Sequence, residues 1–216
     1  MSACLDEPHA EPASVTLEGV VVRLEPLDLA RHLGGLVAIG LDPSLWRFTT
    51  AKVRTRGDLE RYLARAIEER ERSVSLPFAN VHRASGRVAG CTRFGNIERM
   101  HRRVEIGWTW VGAEFQRTAV NTEAKYLMFR HAFEDWGYRR VELKTSSLNE
   151  PSKAAMRRLG LVEEGTFRKH MLNEDGGSRD TVYFSVIDDE WPAMKARLER
   201  MLARDASSAG REAGTP

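Results

Sequence analysis

Hydrophobic and polar residues alternate along the chain with two periods, near two residues in some stretches and near 3.6 in others. Val20-Val21-Val22-Arg23-Leu24 is a β-branched run that predicts a first strand, closed by Pro26. Asp28 then caps a helical pattern of Leu29, Leu33, Leu36 and Val37 that ends at Gly40. Trp46-Arg47-Phe48 follows in an irregular stretch, and Asp58-Leu59-Glu60 opens a second helix with Leu59, Leu63 and Ile67 on one face. Residues 76–81 and 88–92 read as two strands of a hairpin turning through Ala84-Ser85-Gly86-Arg87. Residues 104–111 give a fourth strand of mixed pattern. A long amphipathic helix runs from about Thr118 to Trp136 and stops at Gly137. Val141–Thr145 is a fifth strand, and Pro151–Leu159 a short helix stopped by Gly160. Residues 167–172 and 180–186 flank the turn-rich Asn173-Glu174-Asp175-Gly176-Gly177, and a last helix spans about Trp191–Leu202. The order β-α-α-β-β-β-α-β-α-β-β-α predicts an α+β domain over residues 15–204 built on one mostly antiparallel sheet. Residues 1–14 and 205–216 lack apolar periodicity and are expected to be flexible tails.

Composition narrows the function classes. In 216 residues, 33 Lys+Arg nearly cancel 31 Asp+Glu, for a net charge of +2. That argues against a dedicated nucleic-acid binder, although the helix around 54–72 is Arg-rich; its Glu residues neutralise much of the same face. Two cysteines, Cys4 and Cys91, support neither a disulfide framework nor a four-ligand zinc site, and the scattered His residues form no metal pattern. No apolar stretch is long enough to span a membrane, and the start carries neither a basic n-region nor an apolar h-region. The expectation is a soluble protein of a reducing cytoplasm, with an exposed strand edge or hairpin leaving a homodimer open.

The segment Trp108–Ala124 carries the most chemical information. A strand passes through a short loop directly into a helix, whose first backbone N–H groups lack intrahelical partners. Such an end binds pyrophosphate without a dedicated cation. Glu105 lies on the fourth strand between apolar residues, where a carboxylate is placed to take a proton from an ammonium. Asn149 is placed to cap the helix that follows the fifth strand.

This layout resembles the GNAT acyl-CoA N-acetyltransferase superfamily. Its pyrophosphate loop reads Gln/Arg-x-x-Gly-x-Gly/Ala, and Gln116-Arg117-Thr118-Ala119-Val120-Asn121 occupies those positions here, with Ala119 and Asn121 in place of glycines. Asn149-Glu150-Pro151-Ser152 through Gly160-Leu161 is similar to the family's segment after the fifth strand. Many relatives carry a Tyr seven residues after that Asn, as the acid for the departing thiolate; this chain has Met156. Ser152 resembles the serine given that role in the branch acting on ribosomal-protein N-termini, the RimJ/RimL-like branch, where Glu-Ile-Gly also recurs on the fourth strand.

The resemblance covers about residues 16–192 and implies a seven-stranded mixed sheet, splayed between the fourth and fifth strands. It implies acetyl-CoA as cosubstrate, no metal, and transfer to a primary amine, either a protein N-terminal α-amine or a small-molecule amine. In that reading Glu105 is the base and Ser152 the acid. Trp110 and Val111 hold the pantetheine through their backbone, with Asn149 and Ser152 beside it. The loop Gln116, Arg117, Thr118, Ala119, Val120 and Asn121 holds the phosphates. Trp46, Phe48, Trp108 and Tyr183 are expected to wall the acceptor pocket. Because Met156 has no transferable proton, a catalytically silent acyl-CoA-binding sensor is the alternative.

Overall fold

The computed structural model describes residues 11–212, with side chains to residue 206. Its first strands start differently from the β-branched run that announces them. Leu17–Glu18 (β1) pairs antiparallel with Val22–Pro26 (β2), while Val20 and Val21 form the bend between. The cause is Glu123, a buried carboxylate that accepts the backbone N–H groups of Val20, Val21 and Val22 at 2.6–2.8 Å. A carboxylate that collects three N–H donors fixes the bend more firmly than side-chain propensity fixes the strand.

Leu29–Gly40 (α1) is capped by Asp28, whose carboxylate accepts from the Arg31 N–H. Arg56–Glu71 (α2) begins two residues before Asp58, because Thr55 and Asp58 form a reciprocal capping box. Ser75–His82 (β3), Val88–Glu98 (β4) and Arg103–Val111 (β5) form an antiparallel meander. Ala119–Arg130 (α3) is capped by Thr118 and ends in a π-helical turn over His131–Asp135, with Gly137 at φ +61° beyond it. Arg140–Ser146 (β6) leads to Glu150–Leu159 (α4), capped by Asn149 and closed by Gly160 at φ +108°. Val162–Leu172 (β7) and Ser178–Ile187 (β8) form the last hairpin, and Trp191–Glu212 (α5) ends the described chain.

The sheet order is β1-β2-β3-β4-β5-β6-β8-β7. Seven of these strands match the expected set, and the two-residue β1 is the eighth. Among the described strands only β5 and β6 run parallel. One apolar cluster packs α3, α4 and α5 against one face; a second, around Trp46, Leu59, Leu63 and Trp110, packs α1 and α2 against the other. Helix α5 runs on through 205–212, where the sequence suggests a loose tail. At the other end, residues 11–14 hold no regular element, and residues 1–10, with Cys4, and 213–216 lie outside the described residues.

Candidate active site

β5 and β6 pair only where Arg103–Glu105 meets Arg140–Glu142. Beyond Glu105 the strands part: β6 stays with β8, and residues 106–111 keep register with β4 alone. The sheet is therefore split by a wedge that opens just past Glu105. A bulge sharpens it, since Cys91 faces Trp110 while Arg93 faces Gly107, setting three steps of β5 against two of β4. Trp108 sits in that bulge at φ +51°, a left-handed backbone that bulky residues seldom take. Its ring is held by the Arg93 guanidinium, 4.4 Å from its centroid. It lies so close to Gly95 that a side chain there would collide with it.

Glu105 is 2% exposed, so it is neither a surface carboxylate nor half buried. Its Oε2 accepts from Asn96 Nδ2 at 2.6 Å and pairs with Lys144 Nζ at 2.8 Å. Oε1 leans over Gly107, where an added Cβ would lie 2.9 Å from it. Glycine at 107 is thus what gives this carboxylate its room. Lys144 Nζ also lies 6.0 Å from the Trp108 ring and 5.7 Å from the Tyr183 ring. Glu105 and Trp108 from β5 and Tyr183 from β8 meet around one lysine. Phe48 is half-buried under its neighbour Arg47 on the α1–α2 connection. That connection reaches the β7–β8 turn through Glu174, which bonds the Thr50 carbonyl and the Lys52 N–H. Trp46, expected in the pocket wall, belongs to the core instead. It is 3% exposed, donates to the Gly40 carbonyl and packs against Tyr62 and Trp110.

At the head of α3, Thr118 accepts from the Val120 N–H and donates to the Phe115 carbonyl. Arg117 is exposed at φ +60°. Ala119 is half-buried and Val120 belongs to the core. Gln116 departs from expectation, because its amide donates to the Val111 carbonyl at 2.9 Å and so pins the end of β5. Asn121 points a buried Oδ1 that has no hydrogen-bond partner. An unpartnered β5 edge over 106–111, beside the free N–H groups of a helix start, suits an amide-bearing chain that ends in a pyrophosphate. The Trp110 side chain faces the α1–α2 cluster, so only its backbone can serve that edge. On α4, Asn149 Oδ1 accepts from the Ser152 N–H at 3.2 Å, and Met156 is buried with the core.

Several charged residues of the site escape a sequence reading. Arg93, 4% exposed, pairs with Glu69 at 2.6 Å. Lys125 on α3 is 4% exposed and donates to the hydroxyls of Thr109 at 2.7 Å and Thr92 at 3.2 Å, directly behind the bulge. Burial pushes its amine down to about 7. Burial also pushes the Cys91 thiol up to about 11, which leaves it a core residue. The one available signal was period-two alternation: Lys144 and Arg179 fall on the inward side of strands whose register only the fold reveals. Among the described residues no group of His, Cys, Asp or Glu is arranged to hold a metal, and no helix is long and apolar enough to cross a membrane.

Residues 22–162 match the model of the acetyltransferase (GNAT) domain. A GCN5-related N-acetyltransferase from Brucella melitensis superposes with a TM-score of 0.83 at 35% identity, covering 90% of this chain and 88% of that one. RimJ from Mycobacterium smegmatis, solved in complex with CoA-disulfide, has a TM-score of 0.68 at 22% identity over 83% of this chain and 88% of its own, a likeness of fold. In Bacillus subtilis (strain 168), the provisionally named ribosomal N-acetyltransferase YdaF is 33% identical over 110 residues, 51% of this chain and 59% of its own length. The chain thus spans less than two thirds of that relative. With the wedge, the bulge and the helix start in the places described, it belongs to the GNAT acetyltransferase family and resembles its RimJ/RimL-like branch.

Proposed function

We propose that this protein moves the acetyl group of acetyl-CoA to a primary amine, either a protein N-terminal α-amine or the amine of a small molecule. The observation that carries this reading is the wedge past Glu105, with an unpaired strand edge on one side and a buried carboxylate at its apex. The thioester, when bound, supplies an already activated acyl group, so the protein's work is positioning and proton management. Backbone groups of Trp110 and Val111 hold the pantetheine as an added strand, and the N–H groups at the start of α3 other than that of Val120, which Thr118 caps, face the phosphates. A backbone N–H of the bulge is placed to donate to the thioester oxygen as charge develops on it.

Glu105 takes the proton of the acceptor ammonium, directly or through water, and Ser152 gives one to the leaving thiolate. Lys144 and Asn96 hold the Glu105 carboxylate in one orientation between proton transfers. Glu105→Gln keeps the shape and the Asn96 contact but removes the base. Its turnover should fall by roughly 10²–10⁴ with acetyl-CoA affinity close to wild type. Initial rates across pH, with CoA release and product mass as readouts, decide the matter; wild-type rates in that variant remove Glu105 from the role. Met156, buried where relatives carry a Tyr, favours one second reading, a silent acyl-CoA sensor. Normal CoA binding without acetyl transfer to any amine would establish it.

A further inference from the structure

We propose that the acceptor amine carries a carboxylate, which Arg179 receives on β8, on the sheet face that holds Glu105, with the Thr181 hydroxyl as a second donor. The inference rests on the acetyl-transfer reading and names the class of its acceptor. Strand register places the groups. Tyr183 stands opposite Lys144 and Thr181 opposite Ser146 across the β6–β8 pair. Side chains two apart on a strand share a face, so Arg179, Thr181 and Tyr183 lie on the face that holds Lys144 and Glu105.

Two side chains of β8 on that face have unsatisfied polar atoms. Arg179 is partly buried, and its Nε is shielded from solvent with no hydrogen-bond partner. Thr181 is fully buried, and its hydroxyl has none either. Buried donors are normally paired, and two orphans on one strand face call for a cause. Burial lowers the affinity of Arg179 for its proton, and the nearby Glu105 carboxylate partly restores it, which puts the guanidinium within electrostatic reach of the proposed base.

The charge balance points the same way. Lys144 is matched by Glu105, Arg93 by Glu69, and Lys52 at the hairpin turn by Asp175. Among the described residues Arg179 has no carboxylate in contact. An acceptor ammonium entering this face adds a second uncompensated positive charge. An acceptor that brings its own carboxylate cancels it, and guanidinium with carboxylate is the pairing of strongest geometry. A polycationic amine is therefore the wrong class for this face.

The experiment compares matched acceptors by acetylation rate: α-amino acids against their amides, and peptides beginning with Asp or Glu against Asn or Gln. We expect kcat/KM to favour the carboxylate member of at least one pair type by roughly 10–100-fold, mainly through KM. Arg179→Gln should bring that ratio close to one, and Arg179→Lys should keep part of it. Equal rates for acid and amide in every pair, or a ratio unchanged in Arg179→Gln, overturn the inference while leaving acetyl transfer standing. If no amine is acetylated although acetyl-CoA binds, the transfer reading falls and this inference with it. Should Arg179→Gln fail to fold, the wild-type ratios and Arg179→Lys still decide.

Discussion

Lys125 sits further from the surroundings its type prefers than any other cation of the site. Its amine is buried against two threonine hydroxyls, and burial alone pushes it from 10.5 down to about 7. Below pH 7 the amine is charged in both folded and unfolded chains, so the cost of burying the charge is present in full. Between pH 7 and 10.5 the unfolded chain binds the proton and the folded one does not, so stability rises with pH through this window. Denaturant unfolding at pH 6 and pH 9 should show a gain on the order of 2 kcal/mol in wild type relative to Lys125→Met. The Met variant removes the titration but keeps the apolar stem, and Thr92 and Thr109 still bond each other at 2.7 Å. Parallel pH slopes in the two proteins would show that the lysine does not titrate there. The same residue explains what is hard to read from sequence: a lysine in a helical pattern looks like surface until the strand behind it is known.

At the scale of elements, the close approach of β4 to β5 beside the bulge requires Gly90. A Cβ at that position would run into the Trp110 carbonyl, and backbone cannot swing aside as a side-chain tip can. Gly90→Ala should therefore destabilise by more than about 2 kcal/mol and weaken acetyl-CoA binding with it. Gly34 in α1 is the matched control, since nothing lies within 4 Å of its added Cβ. Gly34→Ala should be neutral, or stabilising by roughly 0.5–1 kcal/mol. Thermal melts with acetyl-CoA titrations separate the two; equal melts would dismiss the bulge as a constraint. Helix limits were legible because caps and stops are local: Asp28 and Asn149 at starts, Gly137 and Gly160 at ends. Strand limits were less so. Residues 163–166, Glu-Glu-Gly-Thr, are exposed and bring no large apolar side chain yet belong to β7, because their pairing with β8, not their own pattern, makes them strand. Glu105 was legible within Glu-Ile-Gly, but its partners Asn96 and Lys144 come from two other strands. Only the register that joins β4, β5 and β6 brings them together.

For the molecule as a whole, the outer edge formed by β7 governs whether copies associate. The opposite edge is a two-residue strand, whereas β7 is eleven residues long and exposed almost throughout, with Val162, Phe167 and Leu172 on show. An edge of that length invites a second copy. Two features oppose it. The ladder with β8 shifts register between Glu163 and Gly165 and again between Phe167 and Met171, with Lys169 at φ +49°, so no long straight run is presented. The first shift also carries Glu163 and Glu164, which two antiparallel copies would bring near one another; both are already paired within the chain, to Arg157 and Arg140. Phe167 is partly satisfied by the rings of Tyr183 and His170. Blunting of the edge should outweigh its apolar residues, and the protein should sediment as one species near 24.4 kDa from about 5 to 100 μM. A dimer that dissociates on Phe167→Lys would reverse this conclusion. It would also place the β7–β8 hairpin, and with it Arg179 and Tyr183, next to a subunit boundary.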